Sequence, residues 1–172
     1  RSFAVCSDAQ VGKRRVSKDD VAEIEAHDLA FPATTNPERL VEKAALDDPD
    51  RMTVVFSTYQ SIGVLDAAQK AGLPAFDLIV CDEAHRTTGA TLAGDEDSNF
   101  VRIHDNAYVA GRKRLYMTAT PRIFGDAVKT RADEEAAVLA SMDDENLYGK
   151  TLLHKGFGWA VQKGLLTDYK VI

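Results

Sequence analysis

The stretch that most constrains the fold runs from Phe76 to Gly89, FDLIVCDEAHRTTG. Its apolar run Leu78-Ile79-Val80-Cys81 has the length and β-branched content of a buried strand. Four polar or ionisable side chains, Asp82, Glu83, His85 and Arg86, follow with almost no spacer. In open α/β sheets ligands bind beyond the carboxyl ends of the strands, so two adjacent carboxylates at that point mark a candidate site. Their chemistry suits hydrolysis of a nucleoside triphosphate. One carboxylate holds Mg²⁺ through water, because that ion dehydrates reluctantly, and the other orients and deprotonates the attacking water. An acidic pair after a strand is also common in a solvated loop, so the pair alone does not decide between the two.

Strand and helix patterns alternate along the rest of the chain. Arg1–Cys6 reads as a strand and Ser7–Arg15 as a polar loop; Ser17 caps a helix facing inward through Val21 and Ile24, with Asp20 completing a weak capping box. A short extended segment at Leu29–Ala33, limited by Pro32, leads to Asn36 as N-cap and Pro37 at the first helical position. The apolar face of that helix is Leu40, Val41, Ala44 and Ala45, and Asp47-Asp48-Pro49 ends it. Met52–Ser57 reads as a buried strand, and Thr58 caps a helix bearing Ile62, Leu65 and Ala68 that Gly72 and Pro74 stop. Gly89–Asn99 reads as an acidic mobile loop. Ser98 caps a helix with Phe100, Ile103, Ala107 and Tyr108 inward, and Arg114 opens a further strand. A helix is expected near Ala132–Met142, its acidic start suited to the helix dipole. A last amphipathic helix carries Phe157, Ala160 and Val161 and ends near Gly164, and Asp168–Ile172 begins a strand or linker. The alternation predicts an α/β class with a parallel sheet covered by helices on both faces.

The 172 residues suffice for one domain, and 45% hydrophobic with 28% charged content is that of a soluble globular protein. No apolar run approaches membrane-spanning length and nothing reads as a signal peptide, so a cytoplasmic protein without a membrane partner is expected. Cys6 and Cys81 fall in expected strands, which favours buried thiols over a disulfide, and four scattered histidines give no zinc spacing. The net charge of −6 argues against indiscriminate nucleic-acid binding but leaves room for one basic face. Lys13-Arg14-Arg15 and Arg112-Lys113-Arg114 are its candidates, and each reads equally well as a solvated turn.

The ordered string Asp82-Glu83-Ala84-His85 behind its strand is more specific than an acidic pair. A second string, Arg114-Leu115-Tyr116-Met117-Thr118-Ala119-Thr120-Pro121-Arg122, is another short apolar strand ending in hydroxyls. Together they resemble motifs II and III of superfamily 2 helicases and translocases, a resemblance that covers most of the chain. It implies a RecA-like fold of the P-loop NTPase type, with ATP and Mg²⁺ as cofactors. By that resemblance Asp82 binds Mg²⁺ through water, Glu83 is the catalytic base, and His85 with Thr118, Ala119 and Thr120 couples nucleotide state to grip on nucleic acid. Hydroxyls at strand ends and helix starts hold the phosphate backbone in such proteins, which brings in Thr34, Thr35, Thr58 and Gln60. Helix N-termini suit phosphate, but ordinary capping accounts for Asn36 and Thr58 equally well. The strings FSTYQS, CDEAHRTTGA, FVRIHDNAYV, YMTATPR and KGLLTDYKVI look like the helicases of bacterial single-polypeptide type I-like restriction-modification enzymes. That implies a motor on double-stranded DNA, joined to a second motor domain and to other domains of the parent polypeptide.

A superfamily 2 motor also needs a phosphate loop of the form GxxxxGKS/T. Gly12-Lys13 is followed by Arg14, and Gly149-Lys150-Thr151 has Asp144 where the first glycine belongs and lies after the carboxylates instead of before them. Residues 1–168 are therefore expected to be part of a first motor domain lacking its phosphate loop, with 169–172 starting the connection to a second, and the isolated chain is expected to be inactive. Two other readings compete: a non-catalytic interaction module that kept the fold, and an RNA helicase domain. If Leu78–Cys81 and Leu115–Met117 are adjacent parallel strands, about 4.8 Å apart, His85 or Asp82 should meet a hydroxyl of the Thr118-Ala119-Thr120 segment.

Overall fold

The computed structural model describes residues 2–5, 34–44, 52–92, 100–135 and 137–168. Outside these lie Cys6, the polar loop and first helix expected up to residue 33, Ala45, Asp47-Asp48-Pro49, Ser98, the acidic run 93–99 and the closing segment 169–172.

Strand β1 (Ser2–Val5) pairs in parallel with β2 (Val54–Ser57), with Ser2 opposite Val54 and Val5 opposite Ser57. Helix α1 (Pro37–Ala44) lies between them in the chain. It starts as expected: Asn36 Oδ1 accepts from Arg39 N at 2.8 Å, and Pro37 occupies a position whose N–H would have no intrahelical partner. Its single fully buried side chain is Leu40, and burial of that size contributes roughly 1.5–3 kcal/mol.

After β2 the chain makes one 3₁₀ turn, Tyr59–Ser61, before α2 (Ile62–Lys70). Thr58 does not cap this helix: its hydroxyl bonds Ser61 Oγ at 3.1 Å, because the 3₁₀ turn interposes three residues between threonine and helix. The expected inward face of Ile62, Leu65 and Ala68 is buried. At the other end Gly72, at φ 113°, closes the helix with paired bonds from Gly72 N to Gln69 O and Leu73 N to Ala68 O. Gln69 continues outward, its amide bonding both the N–H and the C=O of Ala110 at 2.8 and 3.0 Å.

The pair at the centre of the site is β3 (Ile79–Cys81) with β5 (Arg114–Tyr116), parallel, Cys81 opposite Tyr116. Gly111 bridges to Phe76 just before it, so close that a Cβ there would lie 2.5 Å from Ile79 Cδ1. Burial along the first strand alternates instead of being continuous: Cys81 is buried, while Leu78 and Val80 are 54% and 51% exposed. Phe56 in β2 is exposed too. β2 and β3 thus leave one face exposed, which corrects the expectation of strands buried on both faces, whereas β1 meets it with Phe3, Ala4 and Val5 buried in succession.

Three further expectations change. Gly89–Leu92 is a strand, β4, paired antiparallel with β6 (Ala137–Ala140), so one of the ladders is not parallel. The helix expected near Ala132–Met142 is α3 (Asp126–Glu134), ending where β6 is drawn into pairing. Ala-Val-Leu-Ala is a passable helix sequence, but backbone partners on β4 override that preference. Phe100–Tyr108 forms turns around a 3₁₀ segment, Arg102–His104, although Ile103 does point inward. Helix α4 (Glu145–Tyr148) is one turn, capped by Asp144, and α5 (Phe157–Gln162) ends at Gly164 as expected but buries none of its residues. Among the described residues the strands form three two-stranded ladders, and one core running from Phe3, Val5 and Leu40 through Ile62 and Leu65 to Cys81, Ala84, Ile103 and Val109 ties the two parallel ones.

Candidate functional site

The parallel pairing of β3 with β5 puts both carboxyl ends on the same edge. The chain leaves β3 through Asp82 and Glu83, both exposed, then makes a 3₁₀ turn over Ala84–Thr87. Two backbone bonds fasten this turn to the end of β5, Met117 N to Cys81 O and Ala84 N to Met117 O, each 2.9 Å, and Arg86 N to Glu83 O at 2.9 Å closes the turn itself. Ala84 is fully buried beneath it. Glu83 therefore has little choice of conformation, and it sits at φ 49°, ψ 43°, the one non-glycine residue with positive φ among those described. A left-handed non-glycine residue costs roughly 1–2 kcal/mol, and such strain concentrates at functional sites.

The side chains converge. His85 Nδ1 lies 3.0 Å from Thr118 Oγ1, 3.4 Å from Thr120 Oγ1 and 3.3 Å from Glu83 Oε2. Thr118 Oγ1 also accepts from Thr120 N at 3.1 Å, which fixes the hydroxyl within its own turn. Asp82 Oδ1 accepts from Glu83 N at 2.9 Å. The expected meeting of the Asp82–His85 loop with the Thr118-Ala119-Thr120 segment is thus present, made by His85 and not by Asp82.

Beneath the loop is a cluster that sequence reading missed. Thr87, fully buried, donates to Ala84 O at 2.8 Å and meets Tyr148 Oη at 3.0 Å. His104 Nε2 is 3.1 Å from Thr87 O and its Nδ1 is 2.8 Å from Tyr116 Oη. A carbonyl can only accept, so Nε2 carries the proton and Nδ1 accepts from the tyrosine. The rings of His104, Tyr116 and Tyr148 contact one another with centroids 4.8 to 5.3 Å apart. Burial lowers the pKa of His104, with Arg114 adding to the effect and the Thr87 bond opposing it; burial likewise raises Tyr116 and Tyr148. Cys81, buried and free, is pushed up to about 11 by burial. Only the aromatic content of these segments hinted at the cluster, since its members lie on four separate elements.

The remaining candidates sit at the carboxyl edge of the other ladder. Thr34 N donates to Ala4 O at 3.0 Å, which sets Thr34 beside the carboxyl end of β1, and Thr34 Oγ1 accepts from Asn36 N at 3.0 Å. Thr58 and Gln60 follow the end of β2 and are exposed. One bond joins this edge to the carboxylates, from Tyr59 Oη to Asp82 O at 2.7 Å.

Mg²⁺ suits what is here. Asp82 is an exposed hard oxygen donor at a strand end, and among the described residues no group of three or more His, Cys, Asp or Glu side chains could form a protein cage. A single carboxylate is the setting in which Mg²⁺ keeps its waters and leans on substrate phosphates. Among the described residues no helix is long and apolar enough to cross a membrane.

The strand-end carboxylates Asp82 and Glu83 are thus linked through His85 to the hydroxyls ending the neighbouring parallel strand. The family model for the res subunit of type III restriction enzymes matches residues 14–123, and the chain belongs to that family. No curated protein matches the chain. Two solved structures are similar to it. One is a nuclease-deletion mutant of the Type ISP restriction-modification enzyme LlaGI in complex with a DNA substrate mimic, 41% identical over 98% of this chain with a TM-score of 0.70. The other is the ATP-dependent Type ISP restriction-modification enzyme LlaBIII bound to DNA, 42% identical over 99% of this chain with a TM-score of 0.66. The chain spans 12% and 11% of the lengths of those two proteins. At this identity the superfamily 2 motor resemblance holds and the α/β fold is of RecA-like type.

Proposed function

We propose that residues 1–168 are part of the first motor domain of an ATP-dependent DNA translocase, within a restriction-modification polypeptide, with 169–172 leading toward a second motor domain. The observation that carries the reading is the His85–Thr118 contact, which ties the carboxylate loop to the end of the adjacent parallel strand. The two DNA-bound Type ISP structures support DNA as the track, and the unwound or intact state of a duplex is not needed for it.

In this reading Asp82 holds Mg²⁺ through water, and the ion supplies charge neutralisation of the phosphates when bound. Glu83 orients the attacking water and takes its proton, at a carboxylate held 3.3 Å from His85 Nδ1. His85, Thr118, Ala119 and Thr120 carry the change toward the nucleic-acid side. Thr34, Thr35, Thr58 and Gln60 grip the phosphate backbone, a role their position at one carboxyl edge supports. The protein works in the cytoplasm.

ATP hydrolysis by the intact polypeptide, with duplex DNA or duplex RNA added, tests this. The motor reading expects stimulation by duplex DNA above RNA. Preference for RNA favours an RNA helicase, and absence of any hydrolysis favours a non-catalytic module.

A further inference from the structure

Tyr59 stands between the two halves of the proposed site. Its neighbours Thr58 and Gln60 are exposed at the carboxyl end of β2, while its own hydroxyl reaches 23 residues along the chain to Asp82. The acceptor is the carbonyl of the Asp82–Glu83 peptide. The N–H of that same peptide donates to Asp82 Oδ1 at 2.9 Å. Because a peptide unit is planar, holding its carbonyl at 2.7 Å fixes the direction of its N–H, and with it the Asp82 carboxylate. The peptide also leads into Glu83 at φ 49°, so the same bond helps hold the strained residue in place. The Tyr59 ring is itself located, half-buried against the core and tilted on Phe100 at 5.4 Å, with Arg86 over the far ring at 4.9 Å.

We propose that Tyr59 is a positioning residue that links nucleic-acid contact at the Thr58–Gln60 turn to the orientation of the Asp82–Glu83 peptide. A shift of the turn against phosphate moves the tyrosine, and the tyrosine rotates the peptide that carries both carboxylates. The hydroxyl remains a donor throughout the ordinary pH range, since burial raises its pKa. This rests on the motor reading above. A tyrosine that merely filled space would need its ring and not its hydroxyl.

The experiment measures linkage in the intact polypeptide. The affinity for a short duplex DNA is determined with and without a non-hydrolysable ATP analogue and Mg²⁺, and the affinity for the analogue with and without the DNA. By thermodynamic necessity the two factors are equal, and such couplings are typically about 5- to 150-fold. Tyr59→Phe is expected to lower both factors together by about fivefold or more; each factor is a ratio of affinities with and without the second ligand, so a change in one ligand's affinity alone cancels from it. Phe100→Leu, which disturbs the ring contact but leaves the hydroxyl, is the second variant and should retain the linkage within about twofold. Unchanged linkage in Tyr59→Phe overturns the proposal, as does an equal loss in Phe100→Leu. A wild type that binds both ligands without linkage sinks the relay alone, whereas one that binds neither sinks the motor reading and the relay with it.

Discussion

His85 and Thr118 lie 33 residues apart in the chain and 3.0 Å apart in space, Nδ1 to Oγ1. The contact exists because β3 and β5 run parallel in register, so that a residue four positions past Cys81 returns over the end of its neighbour. Glu83 Oε2 lies 3.3 Å from the same Nδ1. If the pair acts as a unit, removing either partner removes the function of both. In a double-mutant cycle of His85→Ala and Thr118→Val on DNA-stimulated ATP turnover, the coupling energy should be about 0.5–3 kcal/mol. Strictly additive losses would show that the two side chains act independently.

Glu83→Gln keeps the size and hydrogen-bonding capacity of the side chain and removes its basicity. Loss of a general base costs roughly 10²–10⁴-fold in rate. ATP turnover by the intact polypeptide should fall by that factor, while nucleotide affinity, measured by titration with a non-hydrolysable analogue, stays within about twofold because other groups hold the phosphates. Turnover at the wild-type rate would remove Glu83 from the base role.

Most of the site was legible in the sequence because its pieces are local. An apolar run followed at once by Asp82-Glu83-Ala84-His85 fixes a strand and what lies at its end, and the hydroxyls after Tyr116 do the same for the neighbour. Caps and stops were legible for the same reason: Asn36, Pro37, Gly72 and Gly164 act on bonds within one turn. What could not be read depends on distant partners. Ala137–Ala140 is a strand only because Gly89–Leu92 pairs with it, and Thr58 loses its capping role to a 3₁₀ turn whose tyrosine is held by Asp82 O. The alternation of burial at Leu78 and Val80 was hidden because an apolar run looks alike whether one face is covered or two.

Gly111 offers a packing test away from the carboxylates. Phe76 and Gly111 bridge where the two strands first approach, with Phe76 N to Ala110 O at 3.0 Å and Arg112 N to Phe76 O at 2.8 Å. A Cβ at 111 would meet Ile79 Cδ1 at 2.5 Å and Cγ1 at 2.9 Å. Isoleucine is stiff at its branch, so the strand must shift as well as the methyl. Overpacking of this kind typically costs about 1–3 kcal/mol. Urea denaturation of Gly111→Ala should show a loss of that order, and Gly158→Ala, where nothing lies within 4 Å of the new methyl, should not.

The buried cluster under the loop carries a pH signature. His104 has its pKa lowered from 6.5 by burial, then by Arg114, against the raising effect of its bond to Thr87 O. The other groups facing it, Tyr116 and Tyr148, have raised pKa values and stay neutral at these pH values. Between the lowered folded value and 6.5 the unfolded chain holds a proton that the folded chain does not. Stability therefore rises with pH across that window and is lost as pH falls below about 6.5. Protonation would also place a donor on Nδ1 against Tyr116 Oη, whose own proton must then turn away. One proton sets a ceiling of about 1.4 kcal/mol per pH unit, and the partial solvent contact of the ring keeps the slope below it. His104→Gln can still donate to Thr87 O but does not titrate. Urea denaturation at stepped pH from 8 to 5 should give a shallower acid-side decline for the variant than for the wild type. Parallel curves would mean that His104 is not the group whose proton destabilises the turn, and the difference between the two chains isolates it from His85, which is common to both.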